Sequence, residues 1–205
     1  MKKKFLSLMM AAAVVATTSV SAFAEVVKQD GGTVDVTITG SVNGEGNKPA
    51  PGTLSVTVPT ALSFAVKNDG SVEGSSITVQ NNGTLDINVY AYEFTDTTTN
   101  SSITAHKDTE TSELSNRSHV MLKLKGNAGT ASFKSEKTSD DNNGVYELGG
   151  EKPTESDGVL LSNVVKSKSD SLDLTGQAGT AALAGEDGKN GINDTFTLRL
   201  KIKKA

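Results

Sequence analysis

His106 and His119 are the only imidazoles in the chain, and there is no cysteine. A hydrolytic triad holds a histidine between a nucleophile and a carboxylate. Serines surround both histidines, but no Gly-x-Ser-x-Gly elbow occurs. No catalytic residue is therefore assigned, and an enzyme is not expected. Two histidines without cysteine also fall short of the usual structural zinc set. Calcium takes oxygen ligands, and "SDDNNG" (139–144) resembles part of a calcium loop. With Gly144 at loop position six, however, Ser139 and Gly150 occupy positions one and twelve, so both key carboxylates are missing. That stretch and "GEDGKNGIND" (185–194) read as solvated turns, which favour Asp, Asn and Gly for local reasons. No metal and no cofactor are expected. The glycine runs lie between strand patterns with no helix after them, which removes the basis for cradling a phosphate.

Binding leaves a different signature. Glycan clefts are built on aromatic platforms, and the chain has three tyrosines, six phenylalanines and no tryptophan. Tyr90, Tyr92 and Phe94 fall two apart, so an unbroken strand would place all three on one face. They are the candidate ligand-binding residues. The alternative is that a loop or a second sheet covers this face.

The elements that would position such residues are strands. Apolar and polar residues alternate at Val34–Val36–Ile38, Leu54–Val56–Val58, Leu62–Phe64–Val66, Ile77–Val79, Leu85–Ile87–Val89–Ala91 and Val120–Leu122–Leu124. A short strand is expected near 145–148, Leu172 and Leu174 mark another, and Thr195–Lys203 shows the cleanest alternation. Long loops are expected near 95–117 and 134–158. "GNAGTASF" (126–133) and "GQAGTAAL" (176–183) share one pattern. Neither copy holds His, Asp, Glu or Lys, so both are expected to be strand-turn-strand corners. Many antiparallel strands, each with one apolar face, are best buried as two sheets face to face. The expected fold is all-β, an antiparallel two-sheet β-sandwich, immunoglobulin-like or jelly-roll-like, with a closed barrel as the alternative.

The ends bound the location. Lys2 to Lys4 precede an apolar run, Phe5 to Val15, and Ala22-Phe23-Ala24 matches a cleavage site, so residues 1–24 are expected to be a signal peptide. The run is shorter than a membrane span of about 20 residues, and no integral membrane segment is expected after cleavage. Residues 25–205 would form a single domain. Without the three leader lysines, 17 basic residues face 24 acidic ones, a net charge of −7. No attraction to nucleic acid is expected from that balance. The absence of cysteine removes both disulfides and a lipid-anchoring cysteine.

"PGTLSVTVPTALSFAV", the following "ITVQNNGTLDINVYAYEF" and the terminal "TFTLRLKIKKA" resemble the WxL-domain surface proteins of Gram-positive bacteria. The matching positions are Leu54, Val56, Val58, Pro59, Leu62, Phe64, Val79, Asn81, Asn82 and 196–202; the Trp-x-Leu motifs themselves are absent. The resemblance implies an exported β domain held non-covalently on peptidoglycan. A non-enzymatic, secreted or wall-associated protein is thus expected, acting in wall association, adhesion or assembly. Its expected partners are a cell-wall polymer or other surface proteins, with self-association through the C-terminal strand. The alternative is a glycan or wall-polymer binding module that uses the aromatic strand face.

Overall fold

The computed structural model describes residues 52–97, 102–135, 144–182 and 192–205, together with the backbone of two strands at 24–27 and 33–36. The expected signal peptide lies outside the described residues except at Ala24, and so do most of the two acidic turns. The first strands are β1 (Ala24–Val27), β2 (Thr33–Val36), β3 (Val56–Pro59), β4 (Phe64–Val66), β5 (Ser71–Asn81), β6 (Ile87–Asp96) and β7 (Thr104–Ala105). The remainder are β8 (His119–Lys125), β9 (Thr130–Phe133), β10 (Val145–Glu147), β11 (Val159–Val164), β12 (Ser169–Ala178) and β13 (Phe196–Lys204). Among the described residues the only helical turn is Thr111–Glu113. The all-β expectation is met.

The strands form two sheets. The larger runs β1-β3-β5-β12-β8-β9-β10, with β4 beside β5 and β7 beside β8; the smaller runs β11-β6-β13-β2. Every pairing is antiparallel except that of β7 with β8. Successive strand side chains point to opposite faces, so each alternating stretch offers one apolar row. Val56, Val58, Ile77, Val79, Leu172 and Leu124 from the larger sheet meet Ile87, Val89, Ala91, Leu198, Leu200 and Ile202 from the smaller in one buried core. Removing these rows from water is the main favourable term holding the sheets together.

Asn81 fixes the passage from one sheet to the other. Its side chain is fully buried. The amide donates to the carbonyls of Leu85 (2.8 Å) and Val164 (3.0 Å), and its oxygen accepts the Gly83 N–H (2.9 Å). One side chain thereby shapes the β5–β6 turn and ties it to the end of β11.

Several expectations are corrected. The C-terminal strand completes its own sheet: β13 lies between β6 and β2, and β2 pairs with it along Leu198–Lys201. The 134–158 stretch contains β10, as expected, and the 95–117 stretch contains β7. Strand β11 has no counterpart in the alternation pattern. Between Leu160 and Ser162 its register against β6 shifts, leaving Leu161 as an extra residue. A bulge of this kind breaks the period of two, so Val159-Leu160-Leu161 reads as a plain apolar run.

The repeated segments are not two copies of one corner. The first is: β8 and β9 pair on either side of a turn at 126–129. In the second, Gly176 to Ala178 are still strand, inside β12 and paired with β8. What the two leading glycines share is close approach. A Cβ on Gly126 would lie 2.3 Å from the Leu161 carbonyl oxygen, and one on Gly176 would lie 2.2 Å from that of Met121.

Candidate functional site

The outer face of the smaller sheet carries two of the three expected ligand-binding residues. Tyr90 and Tyr92 are half-buried on β6. Lys201 stands opposite Tyr90 in the register and holds its ammonium 5.1 Å from the centre of the Tyr92 ring. Asp157 braces the lysines, accepting hydrogen bonds from Lys201 Nζ (2.5 Å) and from Lys203. The Lys201 bond first and the Lys203 bond second hold the Asp157 carboxyl below its ordinary value. Arg199 pairs with Glu93 beside them. The face therefore carries two tyrosines with fixed cations at its side.

Phe94 does not belong to it. Glu93 pairs with Arg199 while Ala91 pairs with Leu200, so Tyr92 is an extra residue in β6. One extra residue turns every later side chain to the opposite face. Phe94 consequently points inward, only 4% exposed. The expectation that Tyr90, Tyr92 and Phe94 share one face fails at this bulge.

The histidines are brought together from two elements. Parallel pairing sets Thr104 opposite His119, and the His106 N–H donates to the Val120 carbonyl at 2.8 Å. The two rings stack at 5.1 Å between centres, with His106 Nε2 2.8 Å from His119 Nδ1. Glu110 Oε2 lies 3.8 Å from His106 Nδ1. Burial alone would raise the Glu110 carboxyl. The Lys134 hydrogen bond, the Lys107 N–H and both lysine charges outweigh it and hold the group below its ordinary value. This is a buried polar cross-brace between the β7 region and β8.

A third feature was not foreseen. Between the sheets, where β6 ends and β13 begins, lies a cavity of about 470 Å³ open to solvent on one side. Phe64 (β4), Phe196 (β13), Phe94 (β6) and Phe133 (β9) all line it. Their rings follow one another at 6.4, 5.2 and 4.7 Å between centres. Phe64 and Phe196 are half-buried, whereas Phe94 and Phe133 are 4% and 1% exposed, so the ladder descends from the mouth into the core. Arg117 and Asp194 are also among the lining residues. Arg117 Nη1 donates to Asn68 Oδ1 at 2.9 Å. Asp194 accepts the N–H groups of Ser102, Ile103 and Thr195 at 2.8, 2.9 and 2.8 Å. Successive members of the four are 30 to 63 residues apart in sequence, and no local pattern connects them. The only available signal was compositional: apart from Phe5 and Phe23 in the expected leader, every phenylalanine of the chain is in this group.

Compared with known proteins, the chain matches no family model, no curated protein and no solved structure.

Proposed function

We propose that the protein is an exported, non-enzymatic component of a bacterial cell surface, a β-sandwich of immunoglobulin-like or jelly-roll-like type. It works by binding, in wall association, adhesion or assembly, and the Tyr90–Tyr92 face is its contact surface for a wall polymer or glycan. The leader pattern of residues 1–24 and the resemblance to WxL-domain proteins support export and a non-covalent place on the wall. The observation that carries the binding surface is the pair of half-buried tyrosines with the Lys201 ammonium fixed over one ring. Tyrosine offers an apolar plane with a polar tip, which suits a sugar ring, and the adjoining lysines suit a polymer with acidic groups. Bracing by Asp157 keeps the lysines in place before binding, which reduces the ordering cost.

The test separates binding from folding. The Tyr90→Ala/Tyr92→Ala double variant should keep the wild-type melting temperature within a few degrees. It should also lose at least about tenfold in retention on purified wall sacculi washed at moderate salt, equivalent to about 1.4 kcal/mol. Wild-type retention in a folded double variant would overturn this surface. Native protein found only in the culture medium, with no wall fraction released by chaotrope, would overturn the wall association itself.

A further inference from the structure

We propose that the contact between His106 and His119 is an acid-operated latch. It holds residues 103–118 against β8 while no more than one of the two rings carries an added proton, and it releases them when both do. His106 Nε2 and His119 Nδ1 lie 2.8 Å apart, so one nitrogen donates and the other accepts. A neutral imidazole has one N–H and one bare nitrogen, whereas an imidazolium has an N–H at both positions. The contact therefore survives one added proton. A second sets N–H against N–H, removes the hydrogen bond, and leaves two cations stacked with ring centres 5.1 Å apart. His106 is buried, and charges that water does not reach repel one another with little screening.

The surroundings sharpen this effect. Among the described residues, the loop after β7 brings Lys107, Asp108 and Glu110 to the pair, β8 brings Lys123, the end of β9 brings Lys134, and β10 brings Tyr146. Glu110 lies 3.8 Å from His106 Nδ1 and 3.1 Å from Lys134. Asp108 accepts from the Ser132 hydroxyl and the Gly149 N–H and lies 3.9 Å from Lys123. The Lys107 ammonium stands 4.5 Å from the centre of the Tyr146 ring. Three ammonium groups thus face two carboxylates, and Glu110 favours a first proton on His106. Two added protons raise the local excess of positive charge from one to three. Burial raises the Glu110 carboxyl, but Lys134 and Lys107 outweigh it and hold the group below its ordinary value. The carboxylate therefore stays charged through the range in which histidines ordinarily titrate, about pH 5–8.

The element that the latch holds is weakly built. β7 is two residues long. Its ladder to β8 consists of the Thr104 N–H on the Ser118 carbonyl and the His106 N–H on that of Val120, both at 2.8 Å. On the other side Ala105 exchanges bonds with Ser135 at 2.8 and 3.0 Å. Short segments with few backbone bonds are the first to open locally. Their opening here has a consequence at a distance. Ile103 and Ala105 are buried in the core between the sheets, and Ile103 and Ser118 line the phenylalanine cavity. Release of the segment therefore uncovers core and widens the mouth of that cavity, so that acid near the histidine pair changes the access to it.

Hydrogen exchange of the full-length chain, read by mass spectrometry at about pH 7.5 and about pH 5 and corrected for intrinsic rates, tests the latch. Protection of the Thr104 and His106 amides should fall at least about tenfold at the lower pH and return on neutralisation. Protection across β5 and β12, which contain no histidine, should stay within about twofold. His119→Gln keeps a side chain that hydrogen-bonds and removes the titration, so it should abolish the response to acid. A second readout covers a variant that fails to fold. The ring C–H signals of the two histidines, followed by NMR in the wild type, should titrate together with the loss of protection. Undiminished protection at about pH 5, or a folded His119→Gln chain that still responds, would overturn the latch. So would rings that finish titrating with protection intact, or a loss that begins only below about pH 4, which would assign the opening to Asp108 and Glu110.

Discussion

Asp157 accepts from two lysines that lie two residues apart on one strand, so a single carboxylate organises the charged side of the tyrosine face. Its folded pKa is depressed by those hydrogen bonds. The sign follows: the pair stabilises the fold above the ordinary carboxylate value of about 3.9, and this contribution disappears as pH falls through the lower folded value. Asp157→Asn should cost about 0.5–1 kcal/mol at pH 7, the scale of ion pairs that water reaches, and the difference from wild type should shrink as pH falls below the ordinary carboxylate range and through the lower folded value. Urea denaturation at a series of pH values checks it; a difference that persists undiminished at pH 2 would show that packing, not charge, is lost. At this scale the sequence was legible in part. Tyr90 and Tyr92 were picked out by their aromatic type and their spacing of two. The lysine–aspartate brace was not, since Asp157 lies 44 positions from Lys201. Nor was the His106–His119 contact, which depends on the parallel pairing of β7 with β8.

At the scale of elements, the strands were legible wherever their pairing is regular. Val56–Val58, Ile77–Val79, Leu122–Leu124 and Leu198–Leu200–Ile202 all point to the core as the alternation implies. The failures coincide with irregular registers. The extra Tyr92 sends Phe94 inward, and the extra Leu161 hides β11. An added residue in one strand is dictated by what the neighbouring strand offers, and a single strand's own sequence does not contain it. Asn81 joins three such elements, and it is the residue whose loss the fold should feel most clearly. Asn81→Ala would strand one buried N–H and two carbonyl oxygens, with an expected cost of about 2–4 kcal/mol. Asn81→Asp should do no better, because a carboxylate cannot donate to Leu85 and Val164. Chemical denaturation measures both, and a loss under about 0.5 kcal/mol would show that the turn finds other partners.

Across the whole molecule, the N-terminal strands each form one edge of a sheet. β1 covers β3 and β2 covers β13, so each satisfies a row of backbone groups that would otherwise face solvent. Exposed rows of this kind recruit strands from other molecules. A chain beginning at Pro51 should therefore form larger species than the full chain at equal concentration, seen as a concentration-dependent shift in sedimentation. An unshifted profile would mean that β1 and β2 are dispensable covers. Self-association through the terminal strand would require β2 to be displaced from it, since β13 is paired on both sides. The sequence by itself determined the all-β class, most strand positions, the tyrosine pair and the polar character of the turns. These follow from periodicity and side-chain chemistry that act over a few neighbouring residues. Only the tertiary structure decided where β11 lies, which way Phe94 points, that the histidines touch, and that four distant phenylalanines wall one cavity. Each of these depends on strand register and sheet order, which are set by the simultaneous burial of many apolar rows and are not encoded in any single stretch.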